Sequence, residues 1–156
     1  MRIRKYLRVA VPVLVLVGAL VFFFVASGNS DCTKDYRNDE QVTISGKTFE
    51  AELARSAQEH QKGLSGRDCI GDNQAMLFTF DKPGQYGFWM KDMKFAIDVI
   101  WISPDKKIAA IEKDFKPETY PENAVNEKDK PALYVLEVEA GIANELGLQL
   151  GTPVSF

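Results

Sequence analysis

The 156-residue sequence predicts an α+β domain, a curved, mainly antiparallel sheet or partial barrel with two short helices, preceded by one N-terminal transmembrane helix. Three observations predict it. An uncharged apolar run carries basic residues on one side only. A series of short apolar segments is separated by turn residues. Two brief stretches carry helix start and stop signals.

The apolar run begins at Val9 and ends at Ala26, 18 residues that as a helix extend about 27 Å, close to the hydrocarbon thickness of a bilayer. Arg2, Arg4, Lys5 and Arg8 precede it and no acidic residue occurs before Asp31, so the basic tip is expected in the cytoplasm and the rest outside. Residues 1–30 are therefore read as cytoplasmic tip and signal anchor, and 31–156 as one extracytoplasmic globular domain. The competing reading is a cleaved signal peptide, favoured by the small residues around Ala26 and Ser27, which would give a secreted protein. The polar residues Asn29, Ser30 and Asp31 before Cys32 argue against a lipoprotein signal.

Beyond a polar linker, Val42, Ile44, Phe49, Ala51 and Leu53 alternate on either side of Ser45-Gly46-Lys47 and predict a hairpin. Ser56 followed by Glu59 is a capping-box pattern, so a helix is expected over 57–62, stopped by Gly63. Residues 75–80 read as a strand ended by the turn residues of 81–84, and 87–90 as another. Residues 95–102 and 108–111 form a second hairpin around Pro104. Residues 116–130 hold two prolines and many charges without periodicity, the mark of a long surface loop. A strand over 133–138, a helix over 142–146 stopped by Gly147, and a closing strand over 154–156 complete the domain.

The net charge of −3 conceals an asymmetry: without the four N-terminal cations, 15 basic residues face 22 acidic ones, a balance of −7. Such a domain repels phosphate backbones, so no nucleic-acid partner is expected. The two cysteines, Cys32 and Cys69, read either as free thiols or, in an oxidising compartment, as a disulfide; export favours the disulfide. One histidine, His60, and two cysteines are too few for a metal centre, and neither a phosphate loop nor any other cofactor motif is present, so neither metal nor cofactor is expected. His60 reads as an exposed helical residue. Ser65 lacks the spacing of a nucleophile elbow.

Asp98 and Glu137 are more informative, because each sits in an apolar strand where a carboxylate must be paired or hydrogen-bonded. Arg67 and Lys91 are the partners expected for Asp98. Two half-buried carboxylates also suit acid/base chemistry. Trp89, beside Phe88 and Met90, reads either as core or as the wall of a cleft on which a flat-faced ligand stacks.

Gly63-Leu64, Arg67, Met76-Leu77-Phe78, Phe88-Trp89-Met90-Lys91, Asp98, Leu136-Glu137, Ala140-Gly141 and Gly151, in this order and spacing, resemble the prokaryotic family called domain of unknown function 192. The resemblance covers about 42–156, departing at Ala75, where the family often has glycine. It implies a compact curved β fold with small helices and an exported or anchored location, and brings no activity with it. The expected function is noncatalytic binding of a small molecule, glycan or envelope partner in a cleft near Arg67, Trp89, Lys91, Asp98 and Glu137. The alternative is a carboxylate-dependent hydrolase acting on envelope polysaccharide, and a purely structural envelope protein is a third class. Two carboxyls facing one cleft, about 5 to 9.5 Å apart, would favour the hydrolase.

Overall fold

A computed structural model describes Cys32 and residues 36–156. The anchor expected over residues 9–26 lies outside the described residues, among which no helix is long and apolar enough to cross a membrane.

The chain runs β1 (Glu40–Ile44), β2 (Lys47–Ala54), α1 (Ala57–Lys62), β3 (Gln74–Gly84), β4 (Gly87–Trp89), β5 (Ile97–Ile102), β6 (Ile108–Phe115), β7 (Asn123–Val125), β8 (Ala132–Glu139), α2 (Ile142–Glu145) and β9 (Val154–Ser155). Seven strands form one sheet in the order β6-β5-β8-β3-β2-β1-β9, while β4 and β7 pair separately. Every pairing in the large sheet is antiparallel except that of β2 with β3. The sheet curls until its two ends meet: Lys107 bridges to Pro153, and Val154 N–H donates to the Lys106 carbonyl at 2.9 Å.

Curling gives the sheet an inside and an outside, and alternation along each strand sorts side chains between them. Val42, Ile44, Phe49, Ala51, Leu77, Ile100, Ile102, Leu136, Val138 and Val154 pack together inside, with Ile142 and Ala143 of α2 among them. Met76, Phe78, Val99, Trp101 and Val135 point outward and are covered by Leu64, Ile70, Met90 and Ala124. The cover consists of the loop after α1, the turn after β4 and the small β4-β7 sheet. All six residues of β5 are therefore buried, which is why that stretch reads as a nearly unbroken apolar run.

Local signals place several elements as expected. Ser45 and Gly46 make the two-residue turn of the first hairpin, and the Ser56–Glu59 capping box is complete. Two expectations need correction. The turn residues after Phe80 do not end β3, which continues through a shift in register to pair Gly84 with Ala132. The shift spans Pro83, so its missing N–H costs no ladder bond. The long loop of 116–130 is also not structureless, since it contributes β7, which pairs with the 87–90 segment. Buried Asn126 pins that loop, its Oδ1 accepting from Tyr86 N–H at 2.9 Å and its Nδ2 donating to the Gly84 and Lys130 carbonyls.

Cys32 and Cys69 are joined by a disulfide with a Cα–Cα distance of 5.4 Å. It ties the chain leaving the N-terminal segment to the loop that covers the outer face.

Candidate functional site

The pairing register sets Glu52, Met76, Glu137 and Val99 side by side across β2, β3, β8 and β5 on the outer face. Two carboxylates thus enter an apolar layer, and they are treated differently. Glu52, 3% exposed, receives a bidentate Arg67 fork, Nη1 at 2.5 Å from Oε1 and Nη2 at 2.9 Å from Oε2, with Arg37 Nε at 3.4 Å. Glu137, 5% exposed, has no such partner: its Oε2 is buried without a hydrogen bond. Burial pushes its carboxyl up to about 8, against a smaller opposing pull from the Arg67 charge. At neutral pH it is an uncharged acid.

Glu137 forms the floor of a cavity of about 130 Å³. Phe78, Phe80, Tyr86, Phe88 and Trp89 form its aromatic walls, and His60, Lys62, Leu64, Ser65 and Met93 are among its other lining residues. The rings brace one another: Phe80 stacks on Tyr86 at 3.5 Å, and Phe88 stands edge-on to Phe78 at 4.9 Å and to Trp101 at 6.0 Å. Trp101 is in turn fixed by its Nε1–H, which donates to the Tyr86 carbonyl at 2.8 Å. Gly63 ends α1 at φ +46 and ψ −135, a conformation suited to glycine, and a Cβ there would lie 3.4 Å from the Phe78 ring and 3.7 Å from Glu137 Oε2. The absence of a side chain at Gly63 therefore keeps the floor open.

His60 does not behave as a solvent-facing helical residue. Its ring lies 4.7 Å from that of Phe80, and Nε2 meets the Ala54 carbonyl at 3.1 Å. A carbonyl only accepts, so Nε2 carries the hydrogen. Ser65 Oγ donates to the Lys91 carbonyl at 2.8 Å, which holds the cavity loop against the turn after β4.

Of the five residues expected in a common cleft, the structure brings Glu137 and Trp89 into the cavity, Trp89 at its rim with 43% exposure. Arg67 stands beside it, committed to Glu52 rather than to Asp98. The Lys91 side chain is exposed. Asp98 is elsewhere: it points inward with Ile100, fully buried, on the face opposite Glu137. Its expected ion pair is replaced by backbone donors, with Oδ1 accepting from Asp114 N–H at 2.8 Å and Oδ2 from Gly141 N–H at 3.1 Å and Ala143 N–H at 2.7 Å. Residues 113 and 114 form a bulge opposite Asp98, which leaves the Asp114 N–H without a ladder acceptor. Gly141, at φ +100, turns the chain so that the first N–H groups of α2 face the same carboxylate. Asp98 and Glu137 therefore do not share a cleft, and the pair required for two-carboxylate hydrolysis is not assembled.

Sequence reasoning missed Glu52, because in β2 it shares the face of the exposed Thr48 and the half-buried Glu50. It also undervalued His60, whose only signal was its place three residues before Gly63. Among the described residues no three His, Cys, Asp or Glu side chains cluster as a metal site would need.

The model of the family described as DUF192, uncharacterized ACR, matches residues 40–156. Two solved structures are similar. A protein of unknown function from Novosphingobium aromaticivorans is 32% identical, with a TM-score of 0.67 over 74% of this chain and 84% of that one. A Sinorhizobium meliloti protein described as a candidate transcription regulator is 29% identical, with a TM-score of 0.66 over 74% of this chain and 92% of that one. No curated protein matches the sequence.

Proposed function

The chain belongs to the domain of unknown function 192 family, and from the site itself we propose that it is a noncatalytic binding domain, attached to the cytoplasmic membrane through residues 9–26 and facing outward. Its cavity accepts the head group of a small molecule, or a single group presented by a glycan or envelope partner. The observation that carries this reading is the Glu137 Oε2, buried and without a partner on the floor of an aromatic-walled space. A buried polar atom left unpaired costs about 1 to 3 kcal/mol, a cost that a bound ligand recovers by supplying the missing hydrogen bond. Ready-made rings with a few polar groups among them are the usual make-up of a small-ligand site.

Catalysis is less well supported. Asp98 faces away, the Ser65 hydroxyl is engaged by the Lys91 carbonyl, and Glu137 stands without a second carboxylate in the cavity. The regulator description of the Sinorhizobium protein is not carried over, because an acidic domain makes a poor partner for nucleic acid.

The test is a fragment screen on the purified full-length chain by ligand-observed NMR, repeated on Glu137→Gln and Trp89→Ala. Hits that weaken in both variants support the reading. A screen whose hits ignore both substitutions, or that yields none, refutes it.

A further inference from the structure

Resting on that binding reading, we propose that the cavity ligand is a cation, the alkylammonium head group of a small molecule, held by the rings of Phe78, Phe80, Tyr86, Phe88 and Trp89 over the Glu137 carboxyl. Three observations point to a cation rather than to a neutral ring. Aromatic faces carry negative charge density and attract ammonium groups, most strongly where water is excluded. Among the described residues, the one fully buried side-chain polar atom without a hydrogen bond belongs to this carboxyl, which becomes an anion when a cation displaces its proton. The chain beyond the N-terminal cations is acidic, 22 carboxylates against 15 cations, so the approach of a cation is favoured at long range.

Size agrees. A space of roughly 150 Å³ lined by apolar side chains holds one benzene ring, so the cavity of about 130 Å³ takes one compact head group and leaves the remainder of the ligand at the Trp89 rim.

The groups facing Glu137 do not cancel this preference. His60 and Lys62 come from α1, Lys62 as an exposed rim residue, Ser65 and Arg67 from the following loop, Glu52 from β2 and Tyr86 from the segment before β4. β3 and β5 present Met76, Phe78 and Val99, and the turn after β4 presents Met93, none of which titrates. Arg67 is the charge that pulls against burial at the Glu137 carboxyl. It is forked onto Glu52, and with Arg37, Asp39 and Glu59 it belongs to a cluster of two cations and three carboxylates.

Binding then releases one proton: the ammonium enters with its charge, and the Glu137 carboxyl gives its hydrogen to solvent and stays as carboxylate. Since burial holds that carboxyl protonated up to about 8, affinity for a cation rises about tenfold per pH unit from pH 6 to pH 7.5 and levels off above pH 9.

The experiment titrates the full-length chain with choline and with n-butylammonium, and with 3,3-dimethylbutan-1-ol, the uncharged carbon isostere of choline, following Trp fluorescence and heat at several pH values. The expected result is saturable binding of an ammonium probe, little binding of the isostere, and release of one proton at pH 7 measured in buffers of different ionisation heat. Glu137→Gln should abolish the proton release and weaken ammonium binding about tenfold or more at pH 8.5, and Trp89→Ala, an exposed change, should weaken it about 2- to 10-fold. Equal or tighter binding of the isostere overturns the cation while leaving a binding cavity in place, and ammonium binding that neither releases a proton nor weakens in Glu137→Gln overturns the pairing with the Glu137 carboxyl. Failure of all three probes also overturns the cation, and the fragment screen then judges the binding reading separately.

Discussion

Replacing Glu137 with glutamine should stabilise the protein, by an amount that grows with pH in a defined window. In the unfolded chain this carboxyl loses its proton near 4.5, whereas in the folded chain burial holds the proton until about 8. Between those values the folded state binds more protons than the unfolded state, so stability falls as pH rises. Below 4.5 the residue is neutral in both states and contributes nothing. Each unit is worth about 1.4 kcal/mol, so the wild type loses about 3 kcal/mol at pH 7 and about 5 kcal/mol above pH 8 through this one group. Glutamine has nearly the same shape and never ionises. The two proteins should therefore unfold together at pH 4 and diverge steadily up to pH 8, Glu137→Gln being the more stable. Chemical denaturation at pH 4, 6, 7 and 8.5, followed by Trp fluorescence at equal slope, measures the difference directly, because every other titrating group is common to both. A constant offset across that range, or a wild type that gains on the variant as pH rises, would falsify the picture of Glu137 as a neutral buried acid.

Asp98→Asn should destabilise by about 3 kcal/mol, since the amide can replace only one of two accepting oxygens and leaves at least one of the buried N–H groups of Asp114, Gly141 and Ala143 facing another donor; an unchanged denaturation midpoint would contradict this. The Cys32–Cys69 bridge, closing a separation of 37 residues, should lose about 4 kcal/mol of stability on reduction, and nonreducing mass analysis should find no alkylatable thiol in the mature chain. Arg67→Met should cost about 3 kcal/mol by leaving the buried Glu52 carboxylate with only its longer Arg37 contact, and Glu52→Gln made together with it should restore part of that loss, a coupling absent if the pair is merely a surface contact. A reporter fused after Phe156 should be active outside the cytoplasmic membrane and remain in the membrane fraction, whereas a shortened soluble form would establish cleavage of the N-terminal segment.

Much of this molecule follows from local rules, and those parts were legible. The Ser56–Glu59 capping box, the Ser45-Gly46 turn and the alternation of Val42, Ile44, Phe49 and Ala51 each depend on residues within a few positions of one another, so the first hairpin and α1 could be placed from the sequence. The same holds for the run of β5, apolar except at Asp98, which announces a strand covered on both faces. The sequence also showed that Asp98 and Glu137 had to be buried carboxyls needing an explanation. Which explanation applies depended on contacts that no local pattern encodes. The parity of two neighbouring strands sends Asp98 inward to backbone N–H groups 16 to 45 residues away and sends Glu137 outward beneath the aromatic rings. Arg67 was taken from Asp98 by Glu52, which reads in β2 as one more solvent-facing residue until the Arg37 and Arg67 side chains close over it. The cavity was least legible of all, since α1, the Gly63 turn, β3, the β4-β7 pair and β8 each contribute part of it. A strand's alternation states that a side chain has two possible sides; only the assembled sheet, with its register and its cover, decides which side is core, which is cavity, and which buried acid keeps its proton.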